Sequence, residues 1–131
     1  MVPEDLKYAK THEWARLDAA ANIVTMGITD FAVQQLGDIV FLELPKVGAQ
    51  VTQDTPLGVI ESVKAAVDLL APVTGEVVET NAPLANDLET IGRDPYGQGW
   101  MVRIRVAGAD ALSGLLEPQE YRRHLEAEAK H

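Results

Sequence analysis

Lys64 is the residue whose type and setting point most directly to chemistry. Apolar and polar residues alternate on both sides of it, over 57–63 and again over 67–71, which is the periodicity of two β-strands. The lysine therefore falls at or beside the tip of a predicted hairpin, where small neighbours such as Ala65 would leave its ammonium group open to a modifying enzyme. The same pattern also fits a solvated lysine on a strand edge, where lysines discourage edge-to-edge pairing.

The usual arrangements of catalytic and metal-binding residues are missing from the sequence. There is no cysteine, which excludes a disulfide, a thiolate metal site and a cysteine nucleophile. The three histidines, His12, His124 and His131, are far apart and show no paired spacing, so we expect no metal site. Ser62 and Ser113 lack the motif of a nucleophile elbow. The chain is therefore not expected to be an enzyme, and any redox chemistry must come from an attached group.

Length, composition and charge narrow the protein class and its partners. The chain has 131 residues, of which 47% are hydrophobic and 24% charged, and these proportions predict a single folded domain over residues 1–131. A net charge of −9 would repel a phosphate backbone, so nucleic acid is not an expected partner. The N-terminus does not resemble a targeting segment, and no apolar run approaches the roughly 18 residues of a membrane span. We expect no membrane association and, by default, a cytoplasmic location.

The elements that must position Lys64 are mostly short strands. The β-favouring runs cover residues 23–28, 38–44, 57–63, 75–79 and 100–106, and such spacing indicates an all-β sandwich or barrel. Thr29 and Gly37 are placed to begin and end a short helix. The glycine-rich segment 92–99 lacks the strand-to-helix context of a phosphate loop and is predicted to be a surface turn. A C-terminal helix is predicted at about 117–129.

The segment at the predicted hairpin tip matches a known modification site. Glu61-Ser62-Val63-Lys64-Ala65 strongly resembles the lipoyl attachment segment of the glycine cleavage system H protein family. Several multi-residue motifs continue the resemblance, in order, along nearly the whole chain. They are Tyr8, His12-Glu13-Trp14, Gly27-Ile28-Thr29-Asp30, Leu36-Gly37-Asp38-Ile39-Val40-Phe41, Glu43-Leu44-Pro45, Val47-Gly48, Pro72, Gly75-Glu76-Val77, Asn81, Leu84 and Asp94-Pro95-Tyr96-Gly97-Gln98-Gly99-Trp100.

This resemblance implies a fold and a cofactor. The fold would be mainly β and lipoyl-domain-like, a flattened barrel or sandwich (a barrel-sandwich hybrid) of two antiparallel sheets with short helices, including a C-terminal one. Lys64 would carry lipoate in amide linkage, forming one long flexible arm that takes its dithiolane to separate active sites. The protein would then be a non-catalytic carrier whose sulfur chemistry belongs to the prosthetic group.

The resemblance also implies the partners. Glycine decarboxylase, which uses pyridoxal phosphate (PLP), would leave an aminomethyl group on a lipoyl sulfur. An aminomethyltransferase would release ammonia and pass the one-carbon unit to tetrahydrofolate, and a dihydrolipoyl dehydrogenase would reoxidise the dihydrolipoyl group using FAD and NAD⁺. A lipoate ligase, or an octanoyltransferase with lipoyl synthase, would install the cofactor on a carrier that we expect to be a monomer.

Three residues near the attachment segment match positions that lipoyl-type domains use around the hairpin. Glu61, Gly48 and Gly75 are thereby implied to help present the lysine to the lipoylating enzyme. The alternatives are a solvated strand position for Glu61 and turn geometry with positive φ for both glycines.

Three further residues, Thr11, Glu13 and Asp68, match the surface cleft of the family. The loaded arm can fold back into that cleft, where carboxylates would hold an aminomethyl ammonium away from water. Ordinary surface carboxylates are the alternative interpretation of the two acids.

The sequence departs from the family pattern at a few positions. Phe31 and Gln35 stand where relatives often carry histidine or another polar residue, so no histidine at those positions contacts the arm. Leu88, Thr90 and Gly92 differ from the pattern common before Asp94-Pro95-Tyr96, which leaves the geometry of that loop open.

Other carriers explain the sequence less well. A lipoyl domain of a 2-oxoacid dehydrogenase complex normally lies in a larger chain with flexible linkers, and nothing linker-like occurs here. A biotin carrier typically has methionine on both sides of its lysine, where this chain has Val63 and Ala65. Within the family, a protein that donates lipoyl groups to other lipoyl proteins is an alternative that stays open.

Overall fold

The computed structural model describes residues 2–129, so His131 lies outside the described residues. Within them the chain forms nine strands and three α-helices. The strands are β1 (Lys7–Tyr8), β2 (Glu13–Asp18), β3 (Ile23–Ile28), β4 (Ile39–Glu43), β5 (Gln50–Val51), β6 (Pro56–Ser62), β7 (Ala66–Leu70), β8 (Gly75–Thr80) and β9 (Val102–Arg105). The helices are α1 (Asp30–Leu36), α2 (Glu89–Arg93) and α3 (Pro118–Ala129), and short 3₁₀ turns cover Ala82–Asn86 and Ala109–Leu112.

The strands form two antiparallel sheets. One sheet has six strands in the order β1-β2-β3-β9-β8-β5, and the other has three in the order β4-β6-β7. In the smaller sheet β6 and β7 form a hairpin in which Ile60 pairs with Val67 and Glu61 with Ala66. The predicted architecture, two antiparallel sheets with short helices that include a C-terminal one, is confirmed.

The core lies between the two sheets. Met26, Val77 and Ile104 contribute to it from the larger sheet, while Ile60 and Leu69 contribute from the smaller one, and all five are fully buried. Burial of apolar surface is the main term that holds such layers together. Because Ile60 and Leu69 lie on the two strands of the β6–β7 hairpin, this core also anchors the hairpin that ends near Lys64.

Helix α1 begins and ends where the sequence predicts. The side chain of Thr29 caps it by accepting a hydrogen bond from the Ala32 amide at 3.3 Å. Gly37 ends it with a φ of 75°, a left-handed conformation that glycine adopts without steric cost, and donates its N–H to the Val33 carbonyl at 3.0 Å.

Helix α3 packs beside the start of the larger sheet. Its Tyr121 is fully buried and stacks on Tyr8 of β1, with ring centroids 4.4 Å apart and planes 7° from parallel. These rings belong to a second apolar cluster with Leu6 and Trp14. The C-terminal helix is therefore held against the segment that joins β1 to β2.

Three features differ from the sequence-based expectations. Strands β1, β2 and β5 were not among the predicted runs, because two of them have only two residues and β2 carries several charged side chains. The expected turn over 92–99 begins with the end of helix α2, and its turns start at Asp94. Gly75 does not have the positive φ considered for it, although Gly48 does.

No helix within residues 2–129 combines the length and the apolar character needed to cross a membrane.

Candidate functional site

Lys64 is exposed in the tight connection between β6 and β7. The buried hydroxyl of Ser62 accepts hydrogen bonds from the amides of Lys64 and Ala65, both at 3.2 Å. The backbone is closed further by the Ser62 N–H donating to the Ala65 carbonyl at 2.7 Å, and by Val63 N–H donating to the Asp38 carbonyl at 3.1 Å. The hairpin tip thus combines a hydrogen-bonded backbone with an exposed lysine side chain.

The role of Ser62 was not anticipated, because sequence reasoning considered it only as a nucleophile. A serine whose hydroxyl bonds to amides two and three residues later is a recognised turn-forming arrangement. That spacing, just before the exposed lysine, is the signal from which this role could have been inferred.

The side chain of Lys64 lies against the C-terminal end of helix α1. A β-carbon added to Gly37 would lie 3.4 Å from Cε of Lys64 and 3.8 Å from its Nζ. These are ordinary van der Waals distances, so the lysine stem lies beside the residue that ends the helix.

Exposed apolar side chains surround the lysine on the smaller sheet and its connections. Val63, Val67, Val40 and Phe41 are all exposed, Val63 by 68%. Such residues are enriched where proteins dock against one another. The hairpin that carries the lysine thus combines exposed apolar side chains with the acids Glu61 and Asp68.

A cavity of about 530 Å³ lies between helix α1, strands β6 and β7, and the segment before β2. Much of its wall is apolar, and acids contribute at the rim and floor. Its lining residues are Lys10, Thr11, His12, Glu13, Ile28, Ala32, Gln35, Leu36, Ile60, Val67, Asp68, Leu69, Leu70 and Glu128. The cavity therefore brings together the three predicted cleft residues, Thr11, Glu13 and Asp68, from positions far apart in sequence.

Glu13 is the buried acid of this cavity, with 4% of its surface exposed. Its carboxylate accepts hydrogen bonds from the Thr11 hydroxyl and, at 3.4 Å, from the Leu70 amide. Burial raises the pKa of the Glu13 carboxyl to about 7 from an ordinary value of 4.5, and the two hydrogen bonds only partly oppose that shift. A cation entering the cavity would therefore draw Glu13 into its ionised form.

Asp68 and the three residues predicted to present the lysine are divided between the two sheets. Asp68 is exposed on β7, opposite Val59, and Glu61 is half-buried on β6, three residues before the lysine. Gly48 and Gly75 belong to the region of β5 and β8 in the larger sheet, where the Gly48 amide donates to the Val77 carbonyl at 2.8 Å.

Glycine occurs at positions 48 and 75 for different structural reasons. Gly48 has a φ of 96°, and a β-carbon there would meet nothing within 4 Å. At Gly75 a β-carbon would lie 2.0 Å from the carbonyl oxygen of Arg105, so glycine is required by the close approach of β8 to β9.

Comparisons with known proteins agree with this arrangement. A family model described as "Glycine cleavage H-protein" matches residues 6–128. Proteins named "Glycine cleavage system H protein" from Carboxydothermus hydrogenoformans and Rubrobacter xylanophilus are 48% and 50% identical, covering 99% and 97% of this chain and 98% and 97% of their own lengths. The crystal structure of a glycine cleavage system H protein from Mycobacterium marinum superposes with a TM-score of 0.87 at 36% identity, covering 95% of this chain and 99% of that one. The chain belongs to the glycine cleavage H-protein family.

Proposed function

We propose that Lys64 is the lysine that carries the lipoyl group. As a member of its family, the chain is a non-catalytic lipoyl carrier that works with the other components of the glycine cleavage system, and lipoate is attached covalently to a lysine. The observation that carries the assignment to Lys64 is its exposure at a hairpin tip whose backbone Ser62 holds in place. An enzyme that acylates the Nζ atom can reach such a side chain without unfolding the domain.

The residues around Lys64 fit the attached group. When bound, lipoate supplies a disulfide that opens to accept a one-carbon amine and later closes by oxidation. Leu36, Ile60 and Val67 give the cavity an apolar wall that suits the hydrocarbon part of the arm, and Glu13 supplies a buried acid in the same cavity. Ile60 and Val67 lie on the two strands of the hairpin whose tip carries Lys64.

We propose that Thr11, Glu13 and Asp68 hold the charged end of the loaded arm. Glu13 would accept the ammonium group in a place from which water is largely excluded, and Thr11 orients the carboxylate through its hydroxyl. Asp68 adds a second negative charge where the cavity opens to solvent. The chain's own part in the reaction cycle is to bind and shield, since Lys64 serves only as the attachment point.

We further propose that Glu61, Gly48 and Gly75 help a lipoate ligase, or an octanoyltransferase followed by lipoyl synthase, to recognise the hairpin. Glu61 would contact the enzyme directly, and its partial exposure on β6, three residues before Lys64, supports this role. The glycines would act by fixing the backbone of β5 and β8.

We also propose that the carrier is a monomer, because a net charge of −9 favours repulsion between copies of the chain. We propose that it acts in the cytoplasm, where PLP, tetrahydrofolate and NAD⁺ serve its partners.

The proposal for Lys64 is tested by the intact mass of the protein after incubation with a lipoylating enzyme and its substrates. The wild type should gain the mass of one lipoyl group, and peptide fragmentation should locate it on Lys64. Lys64→Arg, which keeps the positive charge, should gain nothing, whereas Lys46→Arg at another exposed lysine should behave as the wild type. A lipoyl group found on Lys64→Arg would overturn the assignment.

A further inference from the structure

Two histidines and a glutamate meet at one side of the cavity, although His12 and His124 are far apart in sequence. One imidazole nitrogen of His12, one of His124 and a carboxylate oxygen of Glu128 all lie within 4.8 Å of one another. Nε2 of His12 is 3.0 Å and Nε2 of His124 is 2.9 Å from the oxygens of Glu128. His124 and Glu128 are four residues apart on α3, and that spacing places them on one face of the helix.

These separations are those of neighbouring ligands around a metal ion. In a tetrahedral shell with metal–nitrogen distances of about 2.0–2.1 Å, adjacent ligand atoms are about 3.3 Å apart. Two imidazoles and one carboxylate are a donor set typical of zinc and of other divalent transition metals. The Lys10 carbonyl oxygen, 2.9 Å from Nε2 of His124, is within reach as a further oxygen ligand.

The imidazole of His12 is oriented by the buried hydroxyl groups of Tyr121 and Thr29, on the side of the ring away from Glu128. Its Nδ1 lies 2.8 Å from the hydroxyl of Tyr121, which in turn lies 2.7 Å from the hydroxyl of Thr29, and both residues are fully buried. Because a tyrosine hydroxyl can accept as well as donate, it can receive the Nδ1–H that a histidine carries when Nε2 binds a metal.

The backbone and a neighbouring ring also hold His12 in place. His12 has a φ of 76°, an uncommon conformation for a residue with a β-carbon, and such strain clusters at functional positions. The ring of Phe31 packs on its imidazole with centroids 4.7 Å apart. Phe31 of α1 therefore supports the imidazole.

We propose that His12, His124 and Glu128 form a binding site for one divalent transition-metal ion, with Zn²⁺ as the representative. The bound ion links helix α3 to the segment between β1 and β2. Since His12 and Glu128 also line the cavity, the ion lies at its border.

The test is a titration of the full-length protein with Zn²⁺, using chelator-treated protein that carries no affinity tag. Calorimetry should give one Zn²⁺ per chain, and Co²⁺ should produce the visible absorption of a low-coordinate site. Lys64→Arg, which cannot carry the sulfur-containing arm, should bind the same amount of ion. His124→Gln and Glu128→Gln should each weaken binding at least about tenfold.

Matched variants keep the test decisive. Glu126→Gln changes an exposed acid on the same helix, and His131→Gln removes the histidine that is not one of the three proposed ligands, so both should bind as the wild type. Circular dichroism confirms that each variant is folded, and His12→Asn offers a third ligand change with a residue that tolerates positive φ. The proposal is overturned if Zn²⁺ does not bind, if His124→Gln and Glu128→Gln bind it unchanged, or if His131→Gln abolishes binding.

Discussion

The hydroxyl oxygen of Ser62 accepts a hydrogen bond from the backbone N–H of Lys64, with the two atoms 3.2 Å apart. The same oxygen accepts from the Ala65 amide at an equal distance, so one small side chain organises the backbone of both residues. Ser62, two residues before the lysine, therefore determines the backbone shape of the hairpin tip.

Replacing Ser62 with alanine should slow lipoylation without removing the lysine. The change leaves two amides of the tip without their acceptor and should lower the free energy of unfolding by about 1 kcal/mol. Lipoylation rates followed by intact mass should fall for Ser62→Ala, because the tip no longer holds one backbone shape. Ser113→Ala, at an exposed serine outside the hairpin, is the matched control. Equal rates for the two variants would show that the Ser62 hydroxyl does not matter for presentation.

Glu13 should give the protein a pH-dependent stability. The pKa of this carboxyl is about 7 in the folded protein against an ordinary 4.5, so below pH 4.5 it is protonated in both the folded and unfolded states. Between pH 4.5 and 7 the unfolded chain ionises first, and the wild type loses up to about 3 kcal/mol relative to a variant that does not titrate there. Urea unfolding of wild type and Glu13→Gln, in chelator-containing buffers, measures this difference.

The two stability curves should diverge as pH rises from 4.5 and run parallel above 7, with Glu13→Gln gaining on the wild type throughout that interval. Curves that stay parallel from pH 4.5 to 8 would mean that Glu13 titrates as an ordinary exposed acid.

The cleft acids should protect the loaded arm. Glu13→Ala and Asp68→Ala remove negative charges from the cavity, so both should speed the spontaneous release of ammonia from carrier loaded with the one-carbon amine. The release rate is measured after the loading enzyme has been removed. Glu43→Ala, at an exposed acid on β4, should release ammonia at the wild-type rate. Unchanged rates in both cleft variants would contradict the shielding role.

The two glycines in the region of β5 and β8 should differ in what an alanine costs. At Gly75 the new β-carbon would meet the Arg105 carbonyl, so β8 and β9 must separate and the free energy of unfolding should fall by about 3 kcal/mol. At Gly48 the side chain enters open space and only the positive φ is penalised, at about 1–2 kcal/mol. Chemical denaturation ranks the two variants, and an equal or reversed order would refute this account.

The features that sequence predicted well depend on local chemistry. Helix α1 is an example, since its capping threonine and terminating glycine act within a few residues of one another. The β6–β7 hairpin is another, because alternation of apolar residues shows where each strand lies. The resemblance to a family adds the prediction that Lys64 is the modified residue, which alternation alone does not make.

The features that sequence missed depend on contacts between distant segments. The meeting of His12 with His124 requires α3 to return to the start of the larger sheet, which no spacing in the chain records. The buried carboxylate of Glu13 accepts a hydrogen bond from Leu70, 57 residues away in the chain. Glycine is required at position 75 by the carbonyl of Arg105 on β9. Residue type identified several of these positions, but the physical cause of each became visible only in three dimensions.

Strand β9 lies between β3 and β8 in the larger sheet, although it follows both in the chain. During synthesis on the ribosome, a chain that has emerged only to residue 100 holds all three strands of the smaller sheet but lacks the strand that joins the halves of the larger one. Contacts between such distant segments close slowly, because the entropy of the intervening loop must be lost first. Lys64 therefore leaves the ribosome well before the domain that presents it can close. The larger sheet is complete only when residues 102–105 insert between strands that were made earlier.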